Sequence, residues 1–134
     1  MNPFSNEHFN KAIEETQNAM DAGDYMLAMQ NANMALSYDS ENVLALLYRA
    51  AAFFGLGSYI DTKSDCLQVL AQEPGNPQAL FYIAQSDMYL GAFEEAVAFF
   101  QEILNVDPTN SFQLKDKVEA GLKLALRKMK KIGE

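Results

Sequence analysis

Residues 77–110 read PQALFYIAQSDMYLGAFEEAVAFFQEILNVDPTN, and they show most clearly a pattern that recurs through the chain. Gly91 lies near its middle, and glycine recurs at the same 34-residue step at Gly57 and Gly23. Four further columns keep that step across three units: Tyr25, Tyr59 and Phe93; Ala28, Thr62 and Ala96; Leu36, Leu70 and Leu104; Asn42, Asn76 and Asn110. A fixed period of this length indicates a stacked repeat, in which each unit buries its apolar face on its neighbour.

The spacing of small and large residues in these units resembles that of the tetratricopeptide repeat. The units are 9–42, 43–76 and 77–110. The third unit resembles the family pattern most closely, at Leu80, Ile83, Ala84, Gly91, Phe93, Ala96, Phe100 and Pro108. The second unit has Thr62 where the family usually has alanine. The first unit is degenerate, with Ala12 at a large-aromatic position and Ser40 in place of proline.

The resemblance implies an all-α fold, a right-handed superhelix of three antiparallel helix pairs forming one domain over 1–134. The expected helices are 6–22 and 24–38, 42–56 and 58–71, and 76–90 and 92–105. Asp24 and Ser58 are suited to cap the helices that follow the glycines. An apolar stripe in the tail predicts a capping helix over 111–131, which covers the exposed face of the last repeat.

Charge is divided unevenly along the 134-residue chain, whose net charge is −8. Residues 1–110 hold three basic and fifteen acidic side chains (−12), and residues 111–134 hold seven basic and three acidic ones (+4). Nucleic-acid binding needs a basic surface, so no nucleic-acid partner is expected. The tail lysines and Arg127 leave RNA or anionic lipid as an alternative. A solvated helix face, with cations favoured by the helix dipole, is the simpler interpretation.

The chain has no sequence signal for a membrane or an export route. No apolar run approaches the roughly 20 residues that a helix needs to cross a bilayer, so no membrane insertion is expected. The first residues, MNPFSNEHFN, lack the basic and apolar regions of a secretory signal. The single cysteine, Cys66, fits a reducing compartment, and we predict a cytoplasmic protein. Cys66 is expected to be a buried packing residue on the second helix of its unit.

Side chains that carry chemistry are sparse. His8 is the only histidine and Cys66 the only cysteine, and the two are far apart in the repeat, so no metal-ligand cluster is expected. The glycines are single and terminate helices, which argues against a phosphate-binding loop. A Ser–His–Asp arrangement would have to use His8, near the chain terminus. We therefore predict a protein that is not an enzyme, with no catalytic residue, no metal and no cofactor.

A concave groove is the expected binding site. In the tetratricopeptide family, positions 2, 5, 9 and 12 of each unit usually point into such a groove. The corresponding residues are Asn10, Ile13, Gln17 and Met20; Leu44, Leu47, Ala51 and Phe54; and Gln78, Phe81, Gln85 and Met88. The second row is wholly apolar, which suits an apolar or amphipathic segment of a protein or peptide partner. The acidic repeat region suggests basic flanks on that segment. Leu47, Phe54, Phe81 and Met88 are expected to be its central contacts.

One subgroup of the family grips the C-terminal carboxylates of the seventy- and ninety-kilodalton heat-shock proteins with Lys, Asn, Asn, Lys and Arg. The corresponding residues here are Ile13, Gln17, Tyr48, Gln78 and Tyr82. None of the five is cationic, and an acidic surface repels a ligand that carries two carboxylates. The comparison with that subgroup therefore predicts that the heat-shock carboxylate motif is not the partner.

The sequence leaves two functions open. The first is a non-enzymatic protein–protein interaction scaffold, an adaptor or chaperone that holds a peptide in the groove. The second is a structural or assembly module that self-associates through the groove or the C-terminal helix, so an oligomer is possible. Phe112, Leu124 and Leu126 widen the apolar stripe of that helix. They are either edge contacts of the cap or a second surface for association.

Two charged residues occupy positions that the family usually fills with apolar ones. These are Arg49 and Asp87, and Glu15 lies 34 residues before Arg49. We expect Arg49 to pair with Glu15 or Asp87 across the stack, because an unpaired charge at a buried helix interface is costly. A solvent-facing arginine is the alternative. Ala84 is expected to lie at a close contact between helices.

Overall fold

The computed structural model describes residues 3–133, with side chains described for 6–131. Its helices are α1 (Pro3–Asp21), α2 (Tyr25–Tyr38), α3 (Val43–Gly55), α4 (Tyr59–Gln72), α5 (Pro77–Leu90), α6 (Phe93–Val106) and α7 (Lys115–Gly133). Residues 3–133 contain no strand. The expected all-α fold of three helix pairs and a terminal helix is confirmed. Helix α1 begins earlier than expected, at Pro3 rather than near residue 6.

Glycines end the first helix of each pair, as the repeat predicted. Gly23, Gly57 and Gly91 have φ angles of 71°, 76° and 78°, in the left-handed region that side chains with a Cβ disfavour. The Asp24 carboxylate accepts a hydrogen bond from the Leu27 N–H at 3.1 Å and caps α2, as expected. The expected cap at Ser58 is wrong, because its side chain makes no capping hydrogen bond to α4. The glycine turns therefore fix the reversal of the chain whether or not a side chain caps the next helix.

Asparagine joins one repeat to the next at two places. The Asn42 side chain accepts a hydrogen bond from the Ala45 N–H, and the Asn76 side chain accepts one from the Ala79 N–H, both at 3.0 Å. These bonds satisfy backbone donors that the first turn of a helix leaves unpaired. Pro77 follows as the first helical residue of α5, where its missing N–H costs nothing. Two of the three asparagines in this column thus start helices, Asn42 for α3 and Asn76 for α5.

The core lies between the two helices of each pair and between successive pairs. Ala28, Ala50, Ala84 and Ala96 are fully buried, which confirms that small residues mark the close helix contacts. Thr62, which replaces the usual alanine, is also fully buried. Its hydroxyl donates to the Ala50 carbonyl at 3.0 Å, so the polar atom that this substitution adds is satisfied inside the α3–α4 contact.

Helix α7 begins at Lys115, later than the expected start at 111. The Asp107 carboxylate accepts hydrogen bonds from the Phe112 N–H at 3.0 Å and the Ser111 N–H at 2.8 Å. These backbone donors hold the pKa of the Asp107 carboxyl below its ordinary value. A side chain that captures backbone N–H groups in this way competes with helix formation, so the segment is a turn instead of a first helical turn.

The charged residues of the stack pair differently from the expectation. Arg49 donates to both carboxylate oxygens of Asp65, at 2.8 and 2.7 Å, so the predicted partners Glu15 and Asp87 are wrong. This bidentate hydrogen bonding raises the pKa of Arg49. Asp87 is fully buried and forms an ion pair with Lys63 at 2.6 Å. Both pairs join neighbouring helices that are consecutive in the chain, Arg49–Asp65 across α3–α4 and Lys63–Asp87 across α4–α5.

Candidate functional site

The first helices form the inner layer of the superhelix. Helix α3 contacts both α1 and α5, and α5 also contacts α7, so these four helices form a continuous layer. Within the described residues, the second helices α2, α4 and α6 contact the first helices but not one another. A curved stack brings its helices together on the inside and separates them on the outside. The concave face is therefore lined by α1, α3, α5 and α7.

A cavity of about 220 Å³, the central pocket, opens on this face. It is lined by Met20, Leu44, Leu47, Tyr48, Ala51, Gln78 and Tyr82. Leu44 is 48% exposed although it lies in the inner layer, and Leu47 and Ala51 follow it on the same side of α3. The floor of the pocket is thus apolar and open to solvent. Tyrosine and glutamine side chains place polar atoms at its edge.

The structure places most of the expected groove residues along the concave face. Met20, Leu44, Leu47, Ala51 and Gln78 line the central pocket, and Gln85 and Met88 line a second cavity described below. Asn10 and Gln17 are exposed on α1. The other three expected residues pack within the protein. Ile13 is only 9% exposed and belongs to the core, while Phe54 and Phe81 are half-buried against other aromatic rings.

Polar groups at the wall of the central pocket are partly engaged with one another. The Gln17 amide donates to the Tyr48 hydroxyl at 2.6 Å, which joins α1 to α3 across the groove. Burial raises the pKa of Tyr82, whose ring lines the same pocket. A neutral tyrosine hydroxyl both donates and accepts, so this wall can hydrogen-bond the backbone of a bound peptide.

An aromatic cluster separates the central pocket from the second cavity. Phe54 packs edge-on against Tyr59, Tyr82 and Tyr89, with ring centroids 5.4, 5.8 and 5.7 Å away. Tyr59 and Tyr89 stack with centroids 4.7 Å apart and an interplanar angle of 6°. Each such aromatic pair contributes about 0.5–1.5 kcal/mol beyond the burial of its surface area. Because Tyr82 lines one cavity and Tyr89 the other, the cluster connects the two cavities.

The second cavity, the α7 pocket, has a volume of about 650 Å³. It is lined by Gln85, Met88, Tyr89, Phe93, Lys117, Ala120, Gly121, Leu124 and Lys128. Its size is within the range of ligand-binding clefts. The α7 side of this pocket was not among the expected groove residues, which were taken from the three repeats alone. The signal was present in the spacing of Lys117, Gly121, Leu124 and Lys128, which share one helix face.

The groove contains little that could perform covalent chemistry. Cys66 is fully buried as expected, and burial raises the pKa of its thiol to about 12. The reactive thiolate is therefore scarce at neutral pH. Among the described residues, no three His, Cys, Asp or Glu side chains are grouped to hold a metal ion. Within the same part of the chain, no helix has the length and hydrophobicity needed to span a bilayer.

Comparison with known proteins identifies the repeat. The tetratricopeptide repeat profile matches residues 77–110. Human tetratricopeptide repeat protein 28 is 28% identical over 124 residues, which are 92% of this chain and 5% of that protein. Translocon at the outer membrane of chloroplasts 64 from Pisum sativum is 29% identical over 107 residues, which are 80% of this chain and 17% of that protein. The chain thus spans a small part of the length of these relatives.

Solved structures share the fold over nearly the whole chain. The Sgt2 TPR domain from Aspergillus fumigatus superposes with a TM-score of 0.83 at 21% identity, covering 98% of this chain and 82% of that one. The TPR2B domain of yeast Sti1, solved as a pHsp70 complex, gives 0.83 at 16% identity and covers 90% and 98%. The first TPR of Spaghetti (RPAP3), bound to the HSP90 peptide SRMEEVD, gives 0.82 at 20% identity and covers 92% and 94%.

These complexes overturn the expectation that the heat-shock carboxylate motif is not a partner. That exclusion was wrong, because domains with this fold hold heat-shock peptides at identities as low as 16%. It relied on Ile13, Gln17, Tyr48, Gln78 and Tyr82 as the only sources of ligand contacts. It also treated the acidic surface as uniform, whereas α7 places lysines beside the groove.

Residues 77–110 thus match the tetratricopeptide repeat, and the three helix pairs with their 34-residue period share the fold of solved TPR domains.

Proposed function

We propose that the protein is a non-enzymatic adaptor or chaperone-like scaffold that binds a peptide segment of a partner along its concave face. The observation that carries this proposal is the open apolar floor formed by Leu44, Leu47 and Ala51 in the central pocket. Burying apolar surface under a ligand removes it from water, which lowers the free energy of the complex. The grouping of these apolar residues in one open concave pocket therefore favours a ligand that covers them.

The pocket walls suit an extended segment with apolar side chains. Met20 and Leu47 offer adaptable and branched apolar surface, and Tyr82 offers a rigid ring. Gln78 and the Gln17–Tyr48 pair supply donors and acceptors for the peptide backbone. An apolar floor with a few polar groups at its edge is typical of sites that orient a peptide as well as hold it.

The structural neighbours indicate which peptides to test first. The TPR2B domain of Sti1 and the first TPR of Spaghetti are solved with Hsp70 and HSP90 peptides, and the latter peptide is SRMEEVD. Its methionine and valine can enter apolar pockets, and its carboxylates require cations. SRMEEVD is therefore a defined probe of both properties of the groove.

Leu44→Ala is expected to weaken the binding of fluorescently labelled SRMEEVD about tenfold, as measured by fluorescence anisotropy. Truncating a central apolar contact commonly costs about 1–2 kcal/mol of binding, and 1.4 kcal/mol corresponds to a factor of ten. Leu44 is 48% exposed, so the substitution leaves the core intact.

Leu67→Ala is the matched control, because Leu67 is 54% exposed on α4 and lines none of the groove cavities. Its affinity should equal that of the parent, and circular dichroism should show both variants folded. Equal affinity of the Leu44→Ala variant and the parent would contradict binding in the central pocket.

Self-association through α7 is a second candidate function. It is favoured by Leu126 and Phe112, which are about half exposed near the C-terminal end of the stack. Light scattering over a wide concentration range separates the two functions. A mass of 14.9 kDa at every concentration supports the adaptor, and a mass that rises with concentration supports the assembly module.

A further inference from the structure

The α7 pocket differs from the central pocket in having cations on its wall. Lys117 and Lys128 lie on the α7 side, with Gly121 and Leu124 between them. Three turns of α-helix separate the two lysines, and the spacing of all four residues keeps them on one face. The opposite wall includes Met88 and other apolar or aromatic side chains of α5 and α6. The pocket therefore combines an apolar interior with an ammonium group near each end of its α7 wall.

These two ammonium groups are not committed to carboxylates of the protein. Among the described residues, the ion pairs shorter than 4.0 Å are Arg49–Asp65 and Lys63–Asp87. Lys117 and Lys128 take part in neither, and both are exposed. Arg49 and Lys63 hold helices together, whereas the α7 lysines face the cavity with their charge available.

The two lysines of the α7 pocket differ in charge from the rest of the groove. The repeat region over 1–110 has a balance of −12, and the residues that line the central pocket are all neutral. The region from 111 onward has a balance of +4. The two cavities of the concave face therefore differ in charge: the central pocket is neutral and mostly apolar, and the α7 pocket carries two lysines. A ligand whose negative charge lies at one end fits this face in one direction.

We infer that α7 supplies the anion-binding end of the groove, where Lys117 and Lys128 bind carboxylates of an acidic peptide segment. The inference rests on the proposed function and specifies the chemistry of the ligand. An apolar side chain of the segment packs against Met88 and Leu124, and its carboxylates accept hydrogen bonds from the two ammonium groups. The cations thus come from the terminal helix, while the first helices of the three repeats provide apolar and neutral contacts.

The geometry also limits the length of the segment. Residues 117 and 128 are separated by about 16 Å along the helix axis. An extended peptide covers that distance in about five residues. Lysine side chains are long and flexible, so carboxylates that are closer together can also reach both ammonium groups. A cluster of acidic residues at a peptide C-terminus meets this requirement.

The test compares two labelled peptides, SRMEEVD and an analogue without carboxylates, SRMQQVN with an amidated C-terminus, which keeps the arginine of the parent peptide. Both are titrated by fluorescence anisotropy at low salt, because screening weakens exposed charge contacts. The test variant is Lys117→Gln/Lys128→Gln. The control variant is Lys123→Gln/Lys130→Gln, which removes the same charge from α7 at exposed residues that do not line the pocket.

The parent is expected to bind SRMEEVD at least about tenfold more tightly than the analogue, since charge-assisted hydrogen bonds add to the apolar contacts. Lys117→Gln/Lys128→Gln should abolish this preference without weakening the analogue, and the control variant should retain most of it. Equal binding of both peptides by the parent overturns the inference, and so does an unchanged preference in the test variant. In either case, sensitivity of analogue binding to Leu44→Ala would still support the proposed function. If the parent protein binds neither peptide, the inference and the proposed function are both contradicted for peptides of this kind.

Discussion

Replacing Phe100 by alanine is expected to lower the free energy of unfolding by about 3–5 kcal/mol, the usual cost of deleting a buried aromatic ring. Phe100 is fully buried on α6, and its ring lies 6.4 Å from that of Phe81 on α5. Gly121 on α7 approaches the same ring so closely that an added Cβ would lie 2.5 Å from Phe100 Cζ. The ring therefore joins the third helix pair to the terminal helix.

Urea denaturation monitored by circular dichroism measures this effect, with Phe112→Ala as the matched control. Phe112 is about half exposed, so its truncation should change stability by no more than about 0.5 kcal/mol. A similarly small loss for Phe100→Ala would show that α7 does not pack on α6 as described. Loss of this packing would also remove the α7 wall of the second cavity.

Lys63→Met is expected to destabilise the protein by about 3 kcal/mol. Its ammonium group is the ion-pair partner of Asp87, which is fully buried, at 2.6 Å. Apart from this ammonium group, no donor among the described residues hydrogen-bonds to either oxygen of that carboxylate. Removing the cation leaves a buried charge uncompensated, and such losses cost about 3–5 kcal/mol. The Lys63 side chain is partly exposed, which places the expected effect at the lower end.

The double variant Lys63→Met/Asp87→Leu distinguishes a broken ion pair from lost packing. Replacing both charges by apolar groups removes the uncompensated carboxylate, so the double variant should be more stable than Lys63→Met alone. Thermal or urea unfolding of the three proteins measures the difference. If the double variant is as unstable as Lys63→Met or less stable, the ion pair is not the reason for the loss.

Local and periodic features could be predicted from the sequence. Gly57 and Gly91 end helices in the left-handed region, and Asn76 starts one, as their positions in the repeat indicated. These residues act through the backbone of their own turn, so the sequence alone specifies them. The alanines at close helix contacts were predicted for the same reason, because each recurs at a fixed place in the unit.

Features that depend on contacts between helices were harder to predict. Arg49 was expected to reach the neighbouring first helix, but it pairs with Asp65 on the second helix of its own unit. A period of 34 residues relates equivalent positions; it does not say which non-equivalent side chains meet. The start of α7 was missed because the Asp107 carboxylate captures backbone donors, an interaction without a periodic signal.

In the candidate site, too, several residues within the repeats were predicted from the sequence and those on α7 were not. The repeat placed Leu44, Leu47 and Met88 on the concave face. It gave no reason to connect Lys117 and Lys128 with them, because α7 lies outside the repeated units. The basic residues of α7 were interpreted as one solvated face. Only the packing of α7 beside α5 shows that two of them line the groove.

A ¹H–¹⁵N NMR titration of the parent protein with SRMEEVD shows whether the concave face binds a peptide. Amide signals are expected to shift along the central pocket and the α7 pocket, at residues such as Leu44, Leu47, Met88 and Leu124. Shifts concentrated around Leu67 on the outer surface, or no shift at saturating peptide, would contradict this expectation.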